Sequence, residues 1–160
     1  VVDHLSKAFC GEGQHLYVPA VVSHVQTKRT LMKEDSIRQI MNAYDHLNVA
    51  LVGIGTADNT SSAFRSGYYS DEMKQQAIKD QVCGDICMHL FDKEGRTDRF
   101  PYNKQIVGVN LNKLKKVPYA IGIANGVRKA EAIRGAIKGG YINVLVTDAQ
   151  CGEALTRLND

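Results

Sequence analysis

Residues 119–148 read YAIGIANGVRKAEAIRGAIKGGYINVLVTD, a strand, a Gly-marked turn, a helix and a second strand in thirty positions. The apolar run 119–124 predicts a strand buried on both faces, and Asn125 and Gly126 end it. Val127, Ala130, Ile133 and Ile137 then recur at helical spacing and predict a helix over 127–138. Gly139 and Gly140 suit its C-terminus, and a strand over 143–147 follows. Arg128 and Lys129 fall in the first turn of that helix, where the macrodipole and the unpaired N–H groups favour negative charge by about 0.3–1 kcal/mol. Two arrangements answer this. A bound phosphate removes the conflict, or Arg128 pairs with Glu131 at i,i+3 while Lys129 points into water.

The same layout recurs upstream. Residues 49–55 (VALVGIG) form a second apolar run ending in Gly, and the small, polar loop 56–62 (TADNTSS) follows. Parallel strands whose carboxyl ends feed Gly-rich loops put ligands at that edge of the sheet, so two such ends predict a site between them. Gly53-Ile54-Gly55 is followed by Ala57 and Asp58, which completes neither GxGxxG nor GxxxxGK[ST] and argues against a nucleotide.

Working outward, helices are expected over 2–9, 34–47, 71–79, 111–115 and 149–158. Strands are expected over 16–22, 82–91 and 106–109. Ser70 is the expected N-cap of the helix that opens with Asp71 and Glu72. The segment 92–95 (DKEG) reads as a turn joining two antiparallel strands. Alternation of strands and helices predicts a single α/β domain with a mostly parallel sheet. The chain opens at Val1-Val2 in a helix-like segment without a cap, which predicts a fragment of something longer.

At 160 residues, with 20 basic and 17 acidic side chains and no Trp, the chain can bury an ordinary core. Its charge is too even for a DNA-binding footprint. Lys113, Lys115 and Lys116 form the dense basic cluster and read as a solvated face. Cys10, Cys83, Cys87 and Cys151 make no CxxC pair and read as small buried or half-buried residues. No apolar span long enough for a membrane and no signal peptide is visible, so the expected setting is reducing and cytoplasmic. The five histidines show no ligand spacing, and neither a metal nor a cofactor is expected.

The motifs VGIGTADN at 52–59, SGYYS at 66–70, GDICMHLFDKEG at 84–95 and NGVRKAEAIRGAIKGGYINVLVTD at 125–148 resemble the sugar-binding domain of SorC/DeoR-type bacterial transcriptional regulators. The resemblance implies a fold similar to that of sugar-phosphate isomerases of the glucosamine-6-phosphate deaminase and ribose-5-phosphate isomerase type. It also implies a phosphorylated sugar as effector and a homo-oligomeric regulator that meets operator DNA through an N-terminal helix-turn-helix. That element, and the first part of the effector domain, are missing from this chain, so 1–160 reads as the C-terminal portion of the domain. On the same basis Lys129 matches the lysine of a GGxxK pattern that holds the effector phosphate. Asp85 matches an acid that accepts from sugar hydroxyls, and Arg65 an arginine after the GIG loop. Gly53, Gly55, Thr56, Asn125 and Gly126 complete the expected ligand contacts. Here Asn125 replaces the first glycine of the pattern, at a position where Asn tolerates φ > 0 better than most residues.

Asp58 is the remaining candidate. It follows the GIG turn as an acid does in the deaminase-type isomerases, where a carboxylate moves protons beside a sugar carbon, or it caps its own loop. A sugar-phosphate isomerase or deaminase is therefore the alternative to a non-enzymatic sensor. No His or Glu follows Asp58 within the loop to serve as a second proton-handling group, which favours the sensor. Asp148, directly after a strand, is the expected N-cap of the last helix.

Overall fold

β1 (Val49–Thr56) pairs with its neighbours in two ways, and this divides the sheet. The structure, a computed structural model, describes residues 1–58 and 61–158. Among them β1, β2 (Gly84–Ile86), β3 (His89–Phe91), β4 (Tyr119–Ile123) and β5 (Val144–Val146) form one sheet in the order β3-β2-β1-β4-β5. β1, β4 and β5 run parallel, with Val49 opposite Tyr119 and Ile121 opposite Val144. β2 and β3 run antiparallel beside β1, with Gly55 opposite Asp85 and Ile86 opposite His89. The expected mostly parallel sheet is thus a mixed one.

Eight helices accompany the strands among the described residues: α1 (Val2–Ala8), α2 (Val25–Leu31), α3 (Asp35–Ala43), α4 (Ser62–Arg65), α5 (Asp71–Lys79), α6 (Leu111–Leu114), α7 (Ala130–Lys138) and α8 (Ala149–Arg157). Four of the eight start on a side-chain cap. The side chains of Ser61, Ser70 and Asp148 accept from the N–H groups of Phe64, Met73 and Cys151. Tyr141 N–H returns to Ala136 O past Gly140, whose φ is +70°, which closes α7 as its two glycines suggest. The main core lies between the parallel strands and α7/α8: Ala50, Val52, Ile54 and Ala120 pack with Ala132, Ile133 and Ala136 of α7 and with Cys151 and Leu155 of α8. A second cluster, Phe64, Tyr69, Ala77, Leu90 and Phe100, lies under the antiparallel hairpin.

The other face of the parallel strands is open. Val49, Leu51, Tyr119, Ile123, Val144 and Val146 are between 39% and 60% exposed, so the expectation that β4 is buried on both faces is corrected to alternate burial. Three other expectations change. The expected strands over 16–22 and 106–109 reduce to one bridge, Val21 to Ile106, because Pro19 removes a ladder donor. The polar segment of α2 was not expected as a helix at all. The expected strand over 82–91 folds back on itself at Cys87 and Met88.

That turn is unusual. Cys87 and Met88 have φ of +49° and +67°, the left-handed pair of a two-residue hairpin turn that Asn-Gly normally supplies. For side-chain-bearing residues this conformation costs about 1–2 kcal/mol each. By contrast, the 92–95 turn exists but leads away from β3 and not into another strand. The buried Asp92 carboxylate accepts from Glu94 N–H, Arg96 N–H and Arg96 Nε, which holds its pKa low despite burial. Gly95, at φ +74°, sits against Gly139, where a Cβ would come within 2.3 Å of backbone. Tyr141 donates its hydroxyl to Gly95 O. The FDKEG block therefore anchors the end of α7.

Candidate functional site

A cleft of about 530 Å³ opens at the carboxyl ends of β1 and β4, against the β2–β3 turn and α4. It lies between the two Gly-marked loops, where sequence reasoning put a site. Gly53, Gly55, Asp85, Asn125 and Lys129 line it. Thr56 is buried at the end of β1, and Arg65 is exposed on α4; neither lines the cleft. Asp58 follows β1, where its carbonyl accepts from Ser61 N–H. Asn59 of the 52–59 motif and Thr60 of the 56–62 loop lie outside the described residues.

Lys129 reaches the cleft by an unexpected local structure. Residues 127–129 form a single 3₁₀ turn, and α7 proper begins at Ala130 with Glu131 in its first turn. Arg128 and Lys129 thus stand ahead of the α-helix, Lys129 as its N-cap, still at the positive end of its dipole. The Lys129 ammonium donates to Ile54 O at 2.8 Å. Ile54 lies one residue past the last β1–β4 pair, Gly53 to Ile123, so the lysine supplies a donor at the frayed edge of the ladder. Gly126 carries the positive φ of this turn, +90°, and Asn125 needs none. The Gly126 N–H is committed to Asp148, whose carboxylate accepts it at 2.5 Å while also capping α8 through Cys151 N–H. Both bonds hold the Asp148 pKa below the ordinary carboxylate range. One side chain thus ties the Asn125-Gly126 turn to α8.

Asp85 faces this turn from β2. It is 6% exposed, and its Oδ1 is a buried acceptor with no hydrogen-bond partner. The oxygen fits only because its neighbour on β1 is glycine: a Cβ on Gly55 would lie 1.8 Å from Asp85 Oδ1. Burial pushes its pKa up to about 6, opposed by the Lys129 charge and by the Met88 N–H that the carboxylate accepts. An uncompensated carboxylate oxygen inside a cleft is a place for a ligand donor. Lys129 supplies a cation to the same cleft, so the arrangement suits a small molecule with an anionic group and a hydroxyl.

The cleft also holds residues that sequence reasoning missed. Ser62 and Ser66 face it from α4, and Tyr68, Cys87 and Met88 close it. The serines are four apart after the Gly-rich loop, a spacing that could have been read as one helix face. Cys87-Met88 carries no turn chemistry, so nothing in the sequence marked it. The thiols read as small buried residues are free: Cys151 is buried, Cys83 and Cys87 half-buried, and Cys10 is exposed, contrary to expectation. Among the described residues no cluster of His, Cys, Asp or Glu has the makings of a metal site, and no helix is long and apolar enough to cross a membrane.

Fold and cleft together define an α/β domain with its cleft at the carboxyl edge of the parallel strands. Residues 1–157 match the Sugar-bind family, described as "Putative sugar-binding domain", and the chain belongs to it. It is 34% identical over 154 residues to the deoxyribonucleoside regulator of Bacillus subtilis, covering 96% of this chain and 49% of that protein. It is 36% identical over 142 residues to the transcriptional regulator LsrR of Escherichia coli K12, covering 87% of this chain and 45% of LsrR. The crystal structure of the full-length sorbitol operon regulator SorC from Klebsiella pneumoniae superposes with a TM-score of 0.85 at 30% identity, over 94% of this chain and 49% of that one. The chain spans about half the length of the relatives it matches. The resemblance to SorC/DeoR sugar-binding domains is thereby borne out.

Proposed function

We propose that the chain is the effector-sensing part of a bacterial transcriptional regulator and that its effector is a phosphorylated sugar. The observation that carries the reading is the pairing, in one cleft, of the Lys129 ammonium with the buried, unpartnered Asp85 Oδ1. Lys129 exchanges Ile54 O for a phosphate oxygen, a stronger acceptor because it is charged. Asp85 accepts from a sugar hydroxyl, which ends its unpaired state. Gly53, Gly55 and Asn125 let the ligand approach the strand ends, and Thr56, Asp58, Arg65 and Gly126 shape the loops behind them. The fold is read as the sugar-phosphate isomerase type, with β1 and β4 at its ligand edge.

The names of the relatives support a sensor over an enzyme. Binding acts by population shift: the ligand draws β1, the 127–129 turn and the β2–β3 turn together and biases a subunit interface of a homo-oligomer. Operator DNA is met by a helix-turn-helix elsewhere in the protein, in the cytoplasm. The isomerase reading keeps one point in its favour, a buried carboxyl whose pKa burial raises to about 6, and isomerase turnover abolished by Asp85→Asn in a folded chain would establish it.

The test is a thermal-shift panel of sugars with and without phosphate. At a hundredfold excess over Kd a ligand adds about 2.7 kcal/mol, a rise of about 5–10 °C for a domain of this size. The reading predicts that rise for a phosphorylated sugar and none for its unphosphorylated partner. Equal shifts for both, or none for either, would overturn it.

A further inference from the structure

We infer that the protein has a second small-molecule site, apart from the effector cleft, built from Lys28, Lys104 and His89 and suited to a small oxyanion that carries a hydroxyl group. A cavity of about 350 Å³ lies among α2, β3, the 97–105 segment and the start of α6. That volume is enough for a small molecule. No residue lines both this cavity and the effector cleft, so the inference stands independently of the proposed effector.

The cavity is rich in unpaired positive charge. Lys28 is half-buried on α2, and burial lowers its pKa. Lys104 reaches the same cavity from the 3₁₀ turn Pro101–Gln105. Asn103 fastens that turn to β3: its side chain donates to Leu90 O and Thr97 O and accepts from Leu90 N–H. The backbone that carries Lys104 is therefore fixed. Neither ammonium makes an ion pair among the described residues, and neither does Asp98, the acid of the lining. Arg29 and Lys33 border the adjoining groove, which Lys28 and Lys104 also line, and they raise the positive potential nearby. A cation that has lost water and gained no partner favours a bound anion.

His89 adds a second requirement. Its Nδ1 donates to Cys87 O at 3.1 Å, so Nε2 of the neutral ring is an acceptor. Burial, helped by the Lys28 charge, lowers the His89 pKa to about 4, and the ring is neutral at pH 7. An oxyanion without a proton to give gains nothing from this acceptor, and Asp98 is an acceptor as well. A ligand with an O–H group satisfies both kinds of partner. Its anionic oxygens meet the lysines, and its hydroxyl donates to Nε2 or to Asp98. Small hydroxy acids and phosphate monoesters of small polyols share this chemistry.

The test follows the His89 ring nitrogens by NMR in the 160-residue chain at pH 7 and constant ionic strength. The ligands are glycerate, glycerol 1-phosphate and propionate, the last a carboxylate without a hydroxyl. Glycerate or glycerol 1-phosphate should shift the His89 signals saturably, and the tighter of the two tells carboxylate from phosphate. Propionate should bind at least about tenfold more weakly than glycerate. The double substitution Lys28→Gln/Lys104→Gln should weaken binding of the hydroxylated anions by about tenfold or more. The shift should persist in Lys129→Ala, whose effector cleft lacks its cation. No saturable shift with either hydroxylated anion, equal affinity for propionate and glycerate, or a shift untouched by the double substitution overturns the inference. So does a shift that disappears in Lys129→Ala, which would put the anion in the effector cleft and support the effector reading instead.

Discussion

At the scale of single residues, Lys129 and Asp85 carry opposite expectations for stability. In the unliganded chain Lys129 donates to Ile54 O, so Lys129→Ala removes a hydrogen bond and should lower stability by about 1 kcal/mol. A helix-dipole argument alone gives the opposite sign, and a thermal melt without ligand decides between them. For Asp85 the folded pKa, about 6, lies above its ordinary 3.8. Between those values the folded chain binds more protons than the unfolded one. The stability Asp85 contributes is therefore present below about pH 4 and lost as pH rises through 6. Asp85→Asn should stabilise the unliganded chain at pH 7 by at most about 3 kcal/mol, and by little at pH 4. Denaturant melts at the two pH values check this. His89 runs the other way: burial lowers its pKa to about 4, so its contribution holds above about pH 6.5 and is lost on acidification, which flattens the wild-type profile. Ligand affinity should rise from pH 5 to 7, because an ionised Asp85 is the better acceptor and the phosphate gains charge over the same range, and Asp85→Asn should reduce that slope to the part the phosphate contributes.

At the scale of elements, the site depends on two close fits. Gly55→Ala would place a Cβ 1.8 Å from Asp85 Oδ1, forcing the carboxylate out of its place. We expect ligand binding to be lost, with stability reduced by about 1–3 kcal/mol as in other overpacked sites; unchanged titration would show that Asp85 has no role in the cleft. Asp148→Ala should cost about 0.5–2 kcal/mol as the loss of an N-cap, and should also loosen the Gly126 turn, read as faster amide exchange at that residue. These elements differ in how far the sequence revealed them. β1, β4, α5, α7 and α8 were legible because apolar period and caps agree, as at Ser70 and Asp148. The β2–β3 hairpin was not, because its turn residues have no turn propensity and are held by hydrogen bonds from the adjoining His89 and from the distant Tyr69. The strand expected over 16–22 failed for the converse reason: its apolar pattern is right, but Pro19 and a single bridge leave no ladder. Of the residues lining the cleft, the strand-end glycines, Asp85 and Lys129 stood among the sequence candidates, whereas Cys87 and Met88 required the fold.

At the scale of the whole molecule, the open face of the parallel strands is the prominent surface. Its six large side chains form rows across β1, β4 and β5, and an apolar face of this kind promotes association. The 160-residue chain should bind a hydrophobic dye and self-associate in sedimentation. Leu51→Lys with Val146→Lys should suppress both while changing stability by about 0.5 kcal/mol per exposed site or less. A monomer without dye binding would show that this face is inert. With a net charge of only +3, the chain should show no sequence-specific DNA mobility shift at micromolar concentration and physiological salt; such a shift would place operator recognition within these residues. The central claim remains the cleft, and calorimetric titration of wild type and Lys129→Ala with a panel of sugar phosphates tests it most directly. A charge-assisted phosphate contact of about 1.5–3 kcal/mol predicts a loss of affinity of about 10- to 150-fold on substitution. Equal affinity of the two proteins for a phosphorylated sugar that wild type binds would contradict the account and leave Lys129 only a prop for the end of β1.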